Sequence, residues 1–71
     1  MGITVKSEMA GVVAAVEIEE GAAVTEDDAV VILSAMKMEI PVSAGRSGSV
    51  AEILVAEGDV VKAGQPLFVI G

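Results

Sequence analysis

Apolar and polar positions alternate over two similar stretches, Val12–Ile18 and Ser49–Val55. The alternation puts Ala14, Val16 and Ile18 on one face and Ala51, Ile53 and Val55 on a matching one, with Glu17 and Glu52 opposite. Strands of this kind are half buried. Two other runs, Val30-Val31-Ile32-Leu33 and Leu67-Phe68-Val69-Ile70, are apolar on both faces and are predicted to lie centrally. The full reading is eight short strands: Ile3–Lys6, Val12–Ile18, Ala23–Val24 and Ala29–Ser34, then Glu39–Val42, Ser49–Val55, Val60–Val61 and Pro66–Ile70. Valine and isoleucine are stiff at χ1 and fit a pleated surface. Pro41 has no N–H, so its strand is expected at an edge or irregular there.

The order of these elements repeats. Displaced by 37 positions, residues 1–34 lie on residues 38–71 without a gap. Nine of the 34 pairs are identical: Met1/Met38, Ile3/Ile40, Val5/Val42, Gly11/Gly48, Val13/Val50, Ala14/Ala51, Glu20/Glu57, Gly21/Gly58 and Val24/Val61. Roughly four would be expected from so biased a composition. Five further pairs exchange one aliphatic residue for another. Two copies are too few for a solenoid, so the chain reads as a single domain, residues 1–71, of two half-domains, 1–34 and 38–71, related by a pseudo-twofold axis. Gly21 and Gly58 each end a strand at a turn suited to positive φ. Lys62–Gln65 is a turn before the last strand, and Thr25–Asp28 is its counterpart. Asp27 stands where Gly64 does and is expected to take the left-handed conformation.

Composition narrows the chemistry. The chain has no Cys, His, Tyr, Trp or Asn. Imidazole and thiolate metal sites are thereby removed, with Ser-His and Cys-His nucleophile pairs and the commonest general base. Glu26, Asp27 and Asp28 are adjacent but lack the ligand spacing of a calcium loop, so neither a metal site nor a catalytic constellation is expected. The net charge of −7 disfavours nucleic acid and anionic lipid and favours partners with basic patches. No run is long enough to span a bilayer, and no signal-peptide pattern opens the chain. The expected setting is cytoplasmic.

One stretch remains, Leu33-Ser34-Ala35-Met36-Lys37-Met38-Glu39-Ile40-Pro41. Ala35, Met36 and Lys37 fall outside both copies and link them, close to the pseudo-twofold axis. The first copy ends in a central strand and the second begins with one able to pair back on it. The link is therefore a tight hairpin whose tip projects, with the chain termini at the opposite end. A lysine amine there is no nucleophile unaided. A partner enzyme that supplied an activated acyl group and a base would leave a stable amide. The attached group would swing on the lysine arm from a rigid base, held near a docked active site at an effective concentration of order millimolar. Methionines that flank a projecting turn cannot both be buried and read as a contact surface.

Ala35-Met36-Lys37-Met38 followed by Glu39-Ile40, at the seam of a doubled chain with glycine-marked turns, resembles the biotinyl domains of biotin-dependent carboxylases, the biotin carboxyl carrier proteins. The resemblance covers essentially the whole chain. It implies an all-β fold: a flattened barrel or sandwich of two four-stranded antiparallel sheets, with the internal pseudo-twofold. It implies that Lys37 is biotinylated by a biotin protein ligase. The covalently held biotin would carry a carboxyl group from a biotin carboxylase to a carboxyltransferase. Met36 and Met38 match the family's recognition residues beside the lysine, with Ala35 and Glu39 next to them. Ser34 departs from the Glu of many members, and the gapless repeat leaves no room for the thumb loop of some bacterial ones. The chain reads as a free-standing carrier or as one domain of a larger enzyme. Two rivals are a lipoyl carrier, which shares the fold but whose lysine typically follows an acidic residue, and an unmodified acidic module that binds other proteins.

Overall fold

Eight strands form where the apolar runs fall, in a computed structural model that describes residues 2–71. They are β1 (Ile3–Lys6), β2 (Gly11–Val16), β3 (Ala23–Val24), β4 (Ala29–Ala35), β5 (Met38–Ser43), β6 (Gly48–Ile53), β7 (Val60–Val61) and β8 (Pro66–Ile70). All pairings are antiparallel, in two four-stranded sheets ordered β1-β8-β6-β3 and β5-β4-β2-β7. The doubly apolar strands β4 and β8 each lie between two neighbours, as their composition requires. Pro41 sits on β5, an edge strand, where a missing N–H removes nothing from the ladder.

The duplication is visible bond by bond. Gly21 N–H donates to the Val50 carbonyl at 2.7 Å, and Gly58 N–H donates to the Val13 carbonyl at 2.8 Å. Ser7 N–H donates to Gln65 O and Ala44 N–H to Asp28 O, both at 2.9 Å. Each bond is its partner's image at the 37-residue offset; of the paired positions, Met1 lies outside the described residues. Gly21 and Gly58 take φ of 89° and 93°, as the strand ends predicted.

Side-chain phase is where the sequence reading needs correction. Ala14 and Ala51 were expected to share a face with Val16 and Ile18 and with Ile53 and Val55. Instead Val13 and Val50 are buried, while Ala51 is exposed. The reason is a pair of β-bulges. The register runs Val13↔Leu33 then Ala15↔Ile32 in β2, and Val50↔Ile70 then Glu52↔Val69 in β6. Each bulge leaves one alanine unopposed and moves the inward set by one position. The strands also end two residues earlier than alternation suggested, at Val16 and Ile53. A second pair of bulges, at Val30 and Leu67, keeps the symmetry.

Asp27 is a second correction. Only Met36 and Lys37 among the non-glycine described residues have positive φ. The first-half turn closes without a left-handed residue, with the Asp28 carboxylate accepting the Thr25 N–H at 2.8 Å and Asp28 N–H donating to Thr25 O at 3.1 Å. Its image keeps the side-chain bond, Lys62 N–H to Gln65 Oε1 at 3.1 Å, but places Gly64 at φ 85°.

The core is a single layer of symmetry-related apolar pairs between the sheets: Val13/Val50, Val24/Val61, Val30/Leu67, Val31/Phe68 and Leu33/Ile70. Phe68 is fully buried. With few large side chains available to a chain this short, stiffness comes from branched residues on both sheets.

Candidate functional site

The link between the halves is shorter than three residues. β4 continues through Ala35 and β5 starts at Met38, with Ser34 opposite Glu39 and Ala35 opposite Met38. Only Met36 and Lys37 make the turn, with φ of 52° and 65°. Two consecutive residues of positive φ in a two-residue loop define a type I′ turn, whose twist matches that of the strands it joins. Asn-Gly is its usual sequence; methionine and lysine tolerate it poorly. The sequence had pointed to a tight hairpin. It carried no sign of this backbone strain, because neither residue is a turn former.

Burial separates the five candidate residues. Met36 is 90% and Met38 64% exposed, and Lys37 and Glu39 are exposed as well. Ala35 is buried and acts as the seat of the hairpin. A Cβ on Gly11 would come within 3.2 Å of the Ala35 Cβ and 2.8 Å of the Ser34 carbonyl oxygen. The glycine therefore lets β2 lie against the end of β4. Gly11 was legible as half of a repeated pair, but its service to the tip was not. Ser34 has a simple consequence too. A glutamate there would stand directly opposite Glu39, a like-charge pair that costs free energy.

The chemistry on offer is narrow: an exposed primary amine on a four-carbon stem, between two exposed thioethers. No group of three or more metal-ligating side chains occurs among the described residues. A groove of about 220 Å³ opens between β1 and β5, lined by Val5, Leu33, Ile40 and Val42 among others, but Met36, Lys37 and Met38 take no part in it. The amine fits a group delivered to it as an activated acyl. The two thioethers give the amine a soft apolar surround.

The family model described as "Biotin-requiring enzyme", for biotin and lipoyl attachment, matches residues 3–70. The chain is 41% identical over 70 residues to "Biotinylated protein TB7.3 homolog" of Mycobacterium leprae, covering 99% of each. The crystal structure of Kluyveromyces lactis urea carboxylase superposes with a TM-score of 0.95 at 37% identity over 100% of this chain. The solution structure of the lipoyl domain of the Azotobacter vinelandii 2-oxoglutarate dehydrogenase complex gives 0.82 at 31% identity, covering 97% of this chain and 95% of that one. The chain spans 6% of the urea carboxylase and 4% of the Aspergillus niger pyruvate carboxylase that it also matches at 47% identity. On the family match, the full-length relative and the shared two-sheet fold together, the chain belongs to the biotin/lipoyl attachment family.

Proposed function

We propose that this protein is a biotin carboxyl carrier of a biotin-dependent carboxylase, set in the cytoplasm, with Lys37 as the attachment residue. The observation that carries the proposal is the strained Met36-Lys37 turn, which holds one amine clear of the body between two exposed methionines. Residues in left-handed conformations cost of order 1–3 kcal/mol each and persist where function requires the geometry. The kinship to a biotinylated protein over its full length supports biotin as the group attached. Lys37 Nζ would lose a proton to a base of the biotin protein ligase and attack the activated biotinyl carbonyl, and the activating group would leave. Biotin in amide linkage supplies a site that takes up a carboxyl group at a biotin carboxylase and gives it up at a carboxyltransferase. The chain's own part is to present the arm and keep its base rigid. β4 anchors that base by burying Val30, Val31 and Leu33.

Intact mass after co-expression with a biotin ligase tests the proposal, with the modified peptide mapped. One biotinyl group on Lys37 is expected, and none in Lys37→Arg, which keeps the charge but not the amine. An unchanged mass, or biotin on Lys6 or Lys62, would overturn it. The lipoyl-domain likeness gives a second reading, a lipoyl carrier; its mark is a lipoyl increment on the same lysine. Biotin is preferred because Met36, not an acidic residue, precedes Lys37.

A further inference from the structure

The pseudo-twofold axis supplies a control within the molecule, since the positions considered below each have an image on the other sheet. Near the tip, Val60, Val12, Ser34 and Glu39 face each other across β7, β2, β4 and β5, so they form one outward row. The next outward row is Ala15, Ile32 and Pro41. On the other sheet the images of Val60, Val12, Ala15 and Pro41 are Ala23, Ser49, Glu52 and Thr4, in the same register. Val60 is 73% and Val12 39% exposed.

Single exposed valines are ordinary. In these two rows, however, the more apolar member of each of the four pairs lies on the sheet that carries Lys37. The strip begins one register step from the Ala35–Met38 pair that closes the turn. Exposed Glu39 ends the first row at β5, and exposed Asp59 precedes Val60 at its other end. Resting on the reading of Lys37 given above, we propose that this strip, centred on Val12 and Val60, is the docking surface for the ligase that acylates Lys37. The matching surface on the ligase is an apolar patch edged with lysine or arginine.

Reach selects this occupant. Before modification the amine extends no further than the lysine stem, so the acylating enzyme must close on the polypeptide around the tip. Once the arm is lengthened, the catalytic subunits can engage its far end without covering the sheet.

The test exchanges residues between the two sheets. Val12→Ser with Val60→Ala installs what the other sheet carries, and Ala23→Val with Ser49→Val does the reverse. Biotin incorporation by a purified biotin protein ligase is followed over a range of carrier concentrations. The first variant should lose about tenfold in kcat/KM, carried in KM, and the second should match wild type. Lys37→Arg should inhibit biotinylation of wild type competitively, and the same chain with Val12→Ser and Val60→Ala should do so about tenfold more weakly. If the double variant fails to fold, Val60→Ala alone replaces it, expected to raise KM severalfold. Equal kcat/KM in wild type and the Val12/Val60 variant would overturn the docking surface. So would an equal loss in the reciprocal variant, or a wild-type dimer in sedimentation that Val12→Ser with Val60→Ala dissociates. Wild type that takes up no biotin would instead overturn the carrier reading, and the docking surface with it.

Discussion

Met36 and Lys37 break the local preferences that the rest of the chain obeys. Their left-handed backbone is what a two-residue hairpin demands, yet no Asn or Gly is supplied. The expected consequence is a trade between stability and function at two adjacent positions. Met36→Asn with Lys37→Gly gives the turn its preferred residues and should stabilise the fold by about 1–2 kcal/mol while removing the amine. Urea unfolding measures the gain, and an unchanged or lower midpoint would show that the turn is not strained. Met36→Gln keeps a long unbranched chain at a site 90% exposed. It should leave the unfolding midpoint within experimental error but slow biotin incorporation, because on the proposed function it puts an amide where the ligase would meet an apolar thioether. A cooperative loss of structure in Met36→Gln would contradict the exposed tip.

At the scale of elements, two glycines related by symmetry should fail differently. A Cβ on Gly11 would meet the Ser34 carbonyl oxygen at 2.8 Å, and one on Gly48 would meet the Gly71 carbonyl oxygen at 2.7 Å. Both obstacles are backbone, so Gly11→Ala and Gly48→Ala should each cost about 1–3 kcal/mol. Only Gly11→Ala pushes on the end of β4 that seats the turn, so it alone should lower the rate of biotinylation under conditions where both variants are folded. Thermal melts and ligase kinetics on the pair check this; equal rates would separate the seat from the site. The same elements show what the sequence could and could not reveal. The strands, their order and the hairpin were legible because branched apolar runs and paired glycines each leave a pattern of residue types. The bulges at Ala14 and Ala51 were not, since alanine fits either face and gives no phase. The Asp27 turn misled because the two turns share their hydrogen bonds but not their backbone: Gly64 takes positive φ, and Asp27, which carries a Cβ, does not. The strip of Val12 and Val60 became visible only when register placed residues far apart in sequence side by side.

The whole molecule is two halves that cannot be pulled apart as units. Each sheet takes two strands from residues 1–34 and its neighbouring seam and two from the second copy: β1 and β3 lie with β8 and β6, and β2 and β4 with β5 and β7. Of the six pairings, β2–β4 and β6–β8 lie within one half; β1–β8, β3–β6, β2–β7 and β4–β5 join the two. A half alone would keep one two-stranded pair, which is marginal in water, and would expose the face that Phe68, Leu33 and their neighbours bury together. Fragments 1–36 and 37–71, cut within the turn, should therefore each be unfolded by circular dichroism. Mixed in equal amounts, they should recover the β-sheet spectrum and a cooperative melt whose midpoint falls on dilution. A cooperative melt in either fragment by itself would refute the interleaving as the source of stability. Recovery on mixing would also explain how an unfavourable Met-Lys turn survives at the seam. Three of the four pairings that join the halves lie outside the hairpin, and β4 is paired to β2 along its other side, so the β4–β5 tip does not have to be a good turn.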